Sequence, residues 1–270
     1  MRQTYTLYGW HLSYFTGKAL CYLRYKQVDH VLKAVNLFTL TRTIKKKTGA
    51  AVMPVLKTPS GEWIQDTSEI IDYIESLHHM NPVTPNTPVQ EFASTLLEAW
   101  GDEWWVPIAM HTRWNYPENF ALFEQDAGKA LLPWAPRFLQ NKAAQRPAKM
   151  LRGMLPFVGI VPEQYNTMNE WTVYMLDALN RHFEQFAFLL GERPSLGDFG
   201  LVGTMYGHLG RDPWPKRELI EPRTHLNAWL ERMKNPAVHS SMALLGNDEI
   251  PASLNPVFKS IFEEFIPMVA

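Results

Sequence analysis

The period of the apolar positions changes once along the chain. Up to about residue 77, short β-branched and aromatic runs alternate with helical stretches. Thr4–Tyr8 predicts a first strand, Thr16–Lys26 a helix through Ala19, Leu20, Tyr22 and Leu23, and Val31–Val35 a second strand. Strand, helix and strand in succession make a parallel pair with a covering helix. A second group follows: the apolar run Val52–Leu56, a turn at Gly61, the short run Trp63-Ile64-Gln65, and an amphipathic helix. That helix presents Ile70, Ile71, Ile74 and Leu77. Asp66 is placed to cap it, with Glu69 three residues on as the reciprocal partner.

Beyond this point strand character is lost. His78–Val89 carries Pro82, Pro85 and Pro88 among Asn and Thr, a linker composition. Phe92, Leu96, Ala99, Trp100, Trp104 and Trp105 then recur at helical spacing, and Pro107 should kink or break that helix. Asn115–Val161 is less regular, and five prolines (117, 133, 136, 147 and 156) are expected to limit helix length there. Trp171, Tyr174, Met175, Ala178, Leu179, His182, Phe183 and Phe186 form a stripe over about four turns, which Gly191 can terminate; His182 reads as a satisfied core histidine. Ser195-x-x-Asp198 is a capping-box pattern. It opens a helix that is apolar nearly all round and carries Gly200, Gly203 and Gly207, so a central buried helix is expected. A last amphipathic helix runs through Leu226, Trp229, Leu230 and Met233 to Asn235-Pro236, and a short helix is expected around Val257–Phe265. The expected organisation is therefore an α/β domain over 1–80, a linker over 81–91, an all-helical domain over 92–240 and a C-terminal extension over 241–270.

Composition narrows the classes. Of the 270 residues, 46% are hydrophobic and 20% charged, a globular balance. A formal net charge of -1 gives no global attraction to nucleic acid or an anionic membrane. The basic residues between Lys129 and Arg152 are scattered singly and are expected to be solvated. The single cysteine, Cys21, lies within the first helix, reads as a packed thiol, and fits a reducing compartment. No apolar stretch reaches the length of a membrane span and the first residues show no apolar signal core, so a cytoplasmic location is expected. Phosphate-cradling glycine loops and zinc spacings are not found, and no metal is expected.

Two places carry candidate chemistry. A proline inside an apolar run belongs at a strand end or bulge, and the Met53–Pro54 bond can adopt the cis form, which frees the Met53 backbone groups to pair with something other than a strand. Ser13 sits at a loop-to-helix junction, where unpaired N–H groups and positive partial charge stabilise anions, thiolates included. From this loop alone Ser13 reads equally as a helix cap or as a donor to a bound anion.

The Met-Pro turn, followed by Asp66-Thr67 and then Ile70 and Tyr73, resembles the glutathione transferase superfamily, where a cis-proline turn lies beside an acidic residue and a Ser or Thr. The Ser195-x-x-Asp198 box resembles the one opening the core helix of that family's helical domain. Ser13-Tyr14-Phe15-Thr16 falls where the family carries its catalytic Ser or Cys; with hydroxyls at both ends, disulfide exchange is excluded there. The resemblance spans about Tyr5 to Val238. It implies a thioredoxin-like domain followed by an all-helical domain, a homodimer, and glutathione as co-substrate. Met53 and Pro54 would hold the cysteinyl backbone, Asp66 and Thr67 the γ-glutamyl group, and Ser13 would assist the thiol, with Tyr14 and Tyr8 as weaker candidates. Attack on a small apolar electrophile is the implied reaction, with walls among Trp10, Trp104, Trp105, His111 and Trp114. The alternative is a non-catalytic binding or assembly scaffold on the same fold.

Overall fold

A computed structural model describes residues 4–236 and 243–269. The 240/241 boundary and the expected limit of the resemblance at Val238 lie outside the described residues. Four strands, β1 (Tyr5–Gly9), β2 (His30–Ala34), β3 (Val55–Lys57) and β4 (Trp63–Gln65), form one sheet in the order β2-β1-β3-β4. β1 runs parallel to β2 and antiparallel to β3, and β4 is antiparallel to β3. Leu7 stands beside Leu32 on one side and Leu56 on the other, which places an apolar row across the sheet. Helices α1 (Tyr14–Tyr25) and α2 (Thr67–Leu77) complete the βαβ plus ββα order of a thioredoxin-like domain. The Met53–Pro54 bond is cis, and β3 begins at the next residue.

The α2 cap differs from expectation. Asp66 accepts the Ser68 N–H at 2.9 Å and adopts a φ of +78°, while the reciprocal bond from Glu69 is not formed. A positive φ turns the Asp66 backbone away from the extended geometry on which that exchange depends. Ile70, Ile71 and Ile74 are buried, but Leu77, in the last turn, is exposed because the helix ends beyond the core.

The helical part begins with α3 (Pro88–Ala99), which continues through a wider turn at Trp100–Trp104 into α4 (Val106–Trp114). Pro107 falls in the first turn of α4, where its missing N–H is harmless. The middle segment is more regular than its prolines imply: α5 (Phe120–Leu131) and α6 (Arg137–Met154) form a hairpin. Pro117, Pro133, Pro136 and Pro156 fall in short turns or at helix starts, and only Pro147 lies inside a helix. α7 (Tyr165–Gln185) buries Met175, Leu176, Ala178, Leu179, His182 and Phe183; Tyr174 of the expected stripe faces outward. His182 is fully buried, with ring nitrogens 2.8 Å from Ser253 Oγ and 3.2 Å from the Phe188 carbonyl, and burial lowers its pKa to about 4.

α8 (Leu196–Thr204) is the buried central helix. A Cβ at Gly200 would meet the Glu98 backbone of α3, and one at Gly203 the Tyr14 ring of α1, so these glycines permit helices to touch. α9 (Thr224–Lys234) and α10 (Asn255–Ser260), with its continuation Ile261–Phe265, close the core through Trp229, Val257, Ile261 and Phe265.

The capping box at α8 is formed and extended. Asp198 accepts the Ser195 N–H and hydroxyl at 2.9 and 3.0 Å, and also the Leu189 N–H and the Trp229 indole, both at 3.0 Å. Asp198→Ala leaves those buried donors without an acceptor, at about 1–3 kcal/mol each. Four donors at the low end of that range put the expected loss at about 4 kcal/mol or more of unfolding free energy, read from urea denaturation; an unchanged midpoint would show that the box is not a stability element.

Candidate functional site

Met53, Pro54, Asp66 and Thr67 converge. Although 12 positions separate Pro54 from Asp66 (66 − 54), the β3–β4 hairpin brings the Met-Pro turn beside the start of α2. Together with Phe15, Gln65, Ser68, Asp102 and Glu103 they line a cleft of about 430 Å³. Among the described residues, no protein group pairs with the Met53 backbone N–H or carbonyl.

Ser13 is not among the residues lining this cleft. It is the N-cap of α1, its Oγ accepting the Thr16 N–H at 3.4 Å, a weak bond. Its neighbours point both ways along the surface: Phe15 lines the first cleft, and Leu12 lines a second of about 340 Å³ with Trp10, His11, Lys129 and Arg211. Tyr14 is closed off, for its hydroxyl donates to the Gly101 carbonyl and accepts from Thr204 Oγ1 at 2.5 Å, and burial pushes its pKa well up. Tyr8 stacks on Trp63 at 5.1 Å and lines neither cleft. Of the expected aromatic walls, Trp105, His111 and Trp114 are packed in the interior, Trp104 is half-buried against Trp171 and Phe265, and Trp10 lines the second cleft while its indole donates to the Val35 carbonyl at 2.6 Å. Cys21 is fully buried, and burial pushes its thiol up to about 12.

An ionic group outside the expected site lies beneath the first cleft. Lys18, on α1, is completely buried and pairs with Glu98 at 2.6 Å and with Asp102. Glu98 Oε1 also accepts the Ser68 hydroxyl of α2 at 2.8 Å. Asp102 Oδ1 has no partner among the described residues, and burial raises its pKa to about 7 against the opposing pull of Lys18. The available signal was a lysine inside an apolar helix and two acids at i, i+4 in an apolar helix pattern.

A second buried pair holds the loop that carries Ser13. Arg113 donates through Nε to Asp212 at 2.7 Å, through Nη1 to the Leu12 carbonyl at 2.9 Å, and through Nη2 to the Gly207 carbonyl. His208 packs behind it with Nδ1 2.9 Å from the Ala109 carbonyl. Burial first, and then Arg113, hold its pKa well below the usual histidine range. The neutral ring donates through Nδ1 and presents Nε2 to Arg113 at 3.3 Å.

The family model for the glutathione S-transferase N-terminal domain matches residues 7–82, and that for the C-terminal domain matches residues 175–232. Among solved structures, a glutathione S-transferase from Rhodospirillum rubrum F11 is similar at a TM-score of 0.52 and 16% identity, covering 90% of this chain and 97% of that one. The β-etherase LigF from Sphingobium sp. strain SYK-6 is similar at 0.53 and 19%, covering 86% and 95%. A glutathione S-transferase from Methylobacterium radiotolerans JCM 2831, in complex with glutathione sulfonate, is similar at 0.50 and 16%, covering 90% and 100%. No curated protein matches the chain by sequence.

Lys18→Met strands two acids in a mostly buried site, and breaking such a pair costs about 3–5 kcal/mol. A triple variant, Lys18→Met with Glu98→Gln and Asp102→Asn, removes the charges together and is expected to recover most of that loss. Urea denaturation of both proteins compares them. Equal destabilisation would mean that side-chain shape, not charge balance, sets the cost.

Proposed function

The chain belongs to the glutathione transferase superfamily, and from that premise we propose that it is a glutathione-dependent transferase. The observation that carries the proposal is the convergence of Met53, Pro54, Asp66 and Thr67 in one open cleft at the N-terminus of α2. The cysteinyl backbone of glutathione pairs with the free Met53 groups. Its γ-glutamyl group meets Asp66, Thr67 and the unpaired N–H groups of the first turn of α2, which suit its carboxylate. The Asp66 carboxylate, and the charge of Asp102 on the cleft floor, attract its ammonium. Ser13 donates to the sulfur and favours the thiolate, whose electron pair attacks an electrophilic carbon of a small apolar substrate. A homodimer and a cytoplasmic setting belong to the same proposal.

One observation favours the second reading, a glutathione-binding scaffold without turnover. Ser13 Oγ is engaged by the Thr16 N–H and lies outside the cleft lining. A free thiol titrates near ~8.5, so at neutrality only about a few per cent is ionised. If Ser13 is the donor, bound glutathione shows a thiol pKa lowered by roughly one to two units, and Ser13→Ala raises it and slows turnover with affinity nearly unchanged. Thiolate absorbance against pH decides this; a bound thiol with an unshifted pKa leaves Ser13 as a cap and the scaffold reading in force. Asp66→Ala, by contrast, weakens binding by roughly 1.5–3 kcal/mol in calorimetry, with thermal stability measured beside it to separate the lost cap.

The acid at the cleft floor adds a pH signature. Asp102, raised to about 7, is largely neutral below that pH and charged above it. Affinity for S-methylglutathione, which has no titrating thiol, is therefore expected to weaken by about tenfold as the pH falls through this range. Asp102→Asn flattens the profile. A wild-type profile already flat between pH 6 and 8 (~two units around the Asp102 value) would remove Asp102 from ligand binding.

A further inference from the structure

The α5–α6 hairpin lies between the two matched family segments, which end at residue 82 and resume at 175. Between Asp126 and Glu163 the chain carries Lys129, Arg137, Lys142, Arg146, Lys149 and Arg152 and no acidic residue, within a protein of net charge -1. Folding sorts these cations. Ala144, Ala148 and Leu155 turn inward, and Arg152 lies over the rings of Phe120 and Trp114 at 4.6 and 5.3 Å. Lys142, Arg146 and Lys149 fall together on the opposite, exposed side of α6, one turn apart. Apolar side chains flank them there: Trp134 and Phe138 at one end, 73% and 70% exposed, and Met150 and Phe157 at the other, 61% and 89% exposed.

We propose that this face of α6 docks on an anionic phospholipid surface. An 18-residue helix is roughly 27 Å long. Cations along its middle reach headgroups while the apolar side chains at both ends enter the acyl boundary. Of the carboxylates on α5, Asp126 pairs with Arg211, while Glu124 accepts from the Gln145 amide and keeps its charge beside the face, where three cations outnumber it. No helix among the described residues is long and apolar enough to cross a membrane, so the contact is with a surface. A second copy of the chain fits less well, because a two-fold contact brings the three cations against their own kind. Nucleic acid fits less well too, since the exposed rings of Trp134, Phe138 and Phe157 stand at the two ends of the helix and not among the cations, where successive bases would need them.

The test is co-sedimentation of the full chain with vesicles of phosphatidylcholine alone and of phosphatidylcholine mixed with phosphatidylglycerol, at low and at physiological salt. The expected result is partition onto the mixed vesicles only, weakened by salt. Each cation near an anionic leaflet is worth about fivefold in affinity, so Lys142→Gln with Arg146→Gln and Lys149→Gln lowers binding by roughly a hundredfold. Phe157→Ser lowers it by about tenfold or more while leaving the salt dependence in place. Both variants should keep the parent's thermal midpoint and its affinity for glutathione, so a failure here is distinct from a failure of the transferase reading. No partition, equal partition onto neutral vesicles, or binding indifferent to these variants overturns the proposal. So does tight binding of an arbitrary-sequence oligonucleotide without vesicle binding, or self-association abolished by the same variants in place of vesicle binding.

Discussion

The docking of the first turn of α1 onto the buried helix α8 is the contact on which the rest of the structure depends. A Cβ at Gly203 would lie 2.7 Å from the Tyr14 ring, and one at Gly207, just beyond α8, 2.9 Å from the Tyr14 backbone nitrogen. The absence of side chains at these two positions therefore sets how closely the sheet domain and the helical domain approach. Tyr14 then spans the joint, bonded to Gly101 on one side and Thr204 on the other. Arg113 ties the Leu12 carbonyl to Gly207 and Asp212. The loop that presents Ser13 is thus held by groups that lie about one hundred residues and more away in sequence, and its geometry is a property of the interface.

The Lys18 cluster extends the same joint toward the cleft. A lysine buried without partners would lose its proton, since desolvation disfavours the ammonium. Glu98 and Asp102 reverse that, and Lys18 is held above its ordinary range despite burial. The cost falls on Asp102, which shares one cation with Glu98 and is driven toward neutrality. Ser68 joins Glu98 to the start of α2. Three elements, α1, α2 and α3 with its wider turn, are therefore coupled through one buried charge group beside the Asp66–Thr67 turn. Breaking one partner exposes the others to an uncompensated burial, which is how a polar cluster can fix a geometry without adding much net stability.

Set between the two family segments, the α5–α6 hairpin contributes to both sides of the molecule. Its inner face, with Phe123, Ala127, Leu131, Ala144 and Ala148, packs in one cluster with Trp10, Leu12, Val35 and Trp114. It thereby covers the region beside the β1–α1 loop and forms, through Lys129 and Ala130, a wall of the second cleft. Its outer face is left basic and partly apolar. The hairpin therefore shapes the surroundings of the Ser13 loop while presenting a distinct exterior surface.

Local chemistry in the sequence determined the strands and most helices, because period, caps and turn residues act over a few positions. Ser195 and Asp198 lie three residues apart and form their box as the spacing requires. Met53-Pro54 and Asp66-Thr67 were legible as a site because a short hairpin brings them together. His182 and Cys21 were legible as core for the same reason, each lying within an apolar helical pattern. What depended on long-range packing was decided only in the tertiary structure. Tyr14 and Ser13 are neighbours, yet packing against Gly203 and Gly207 seals the first and leaves the second half-buried. Glu69 is spaced for a reciprocal cap, but the positive φ at Asp66 removes it. The sequence contained Lys18, Glu98 and Asp102, and Lys142, Arg146 and Lys149, as isolated charges. Only the folded chain placed the first three in a buried cluster and the second three on one open face, because burial and helix orientation are set by elements distant in sequence.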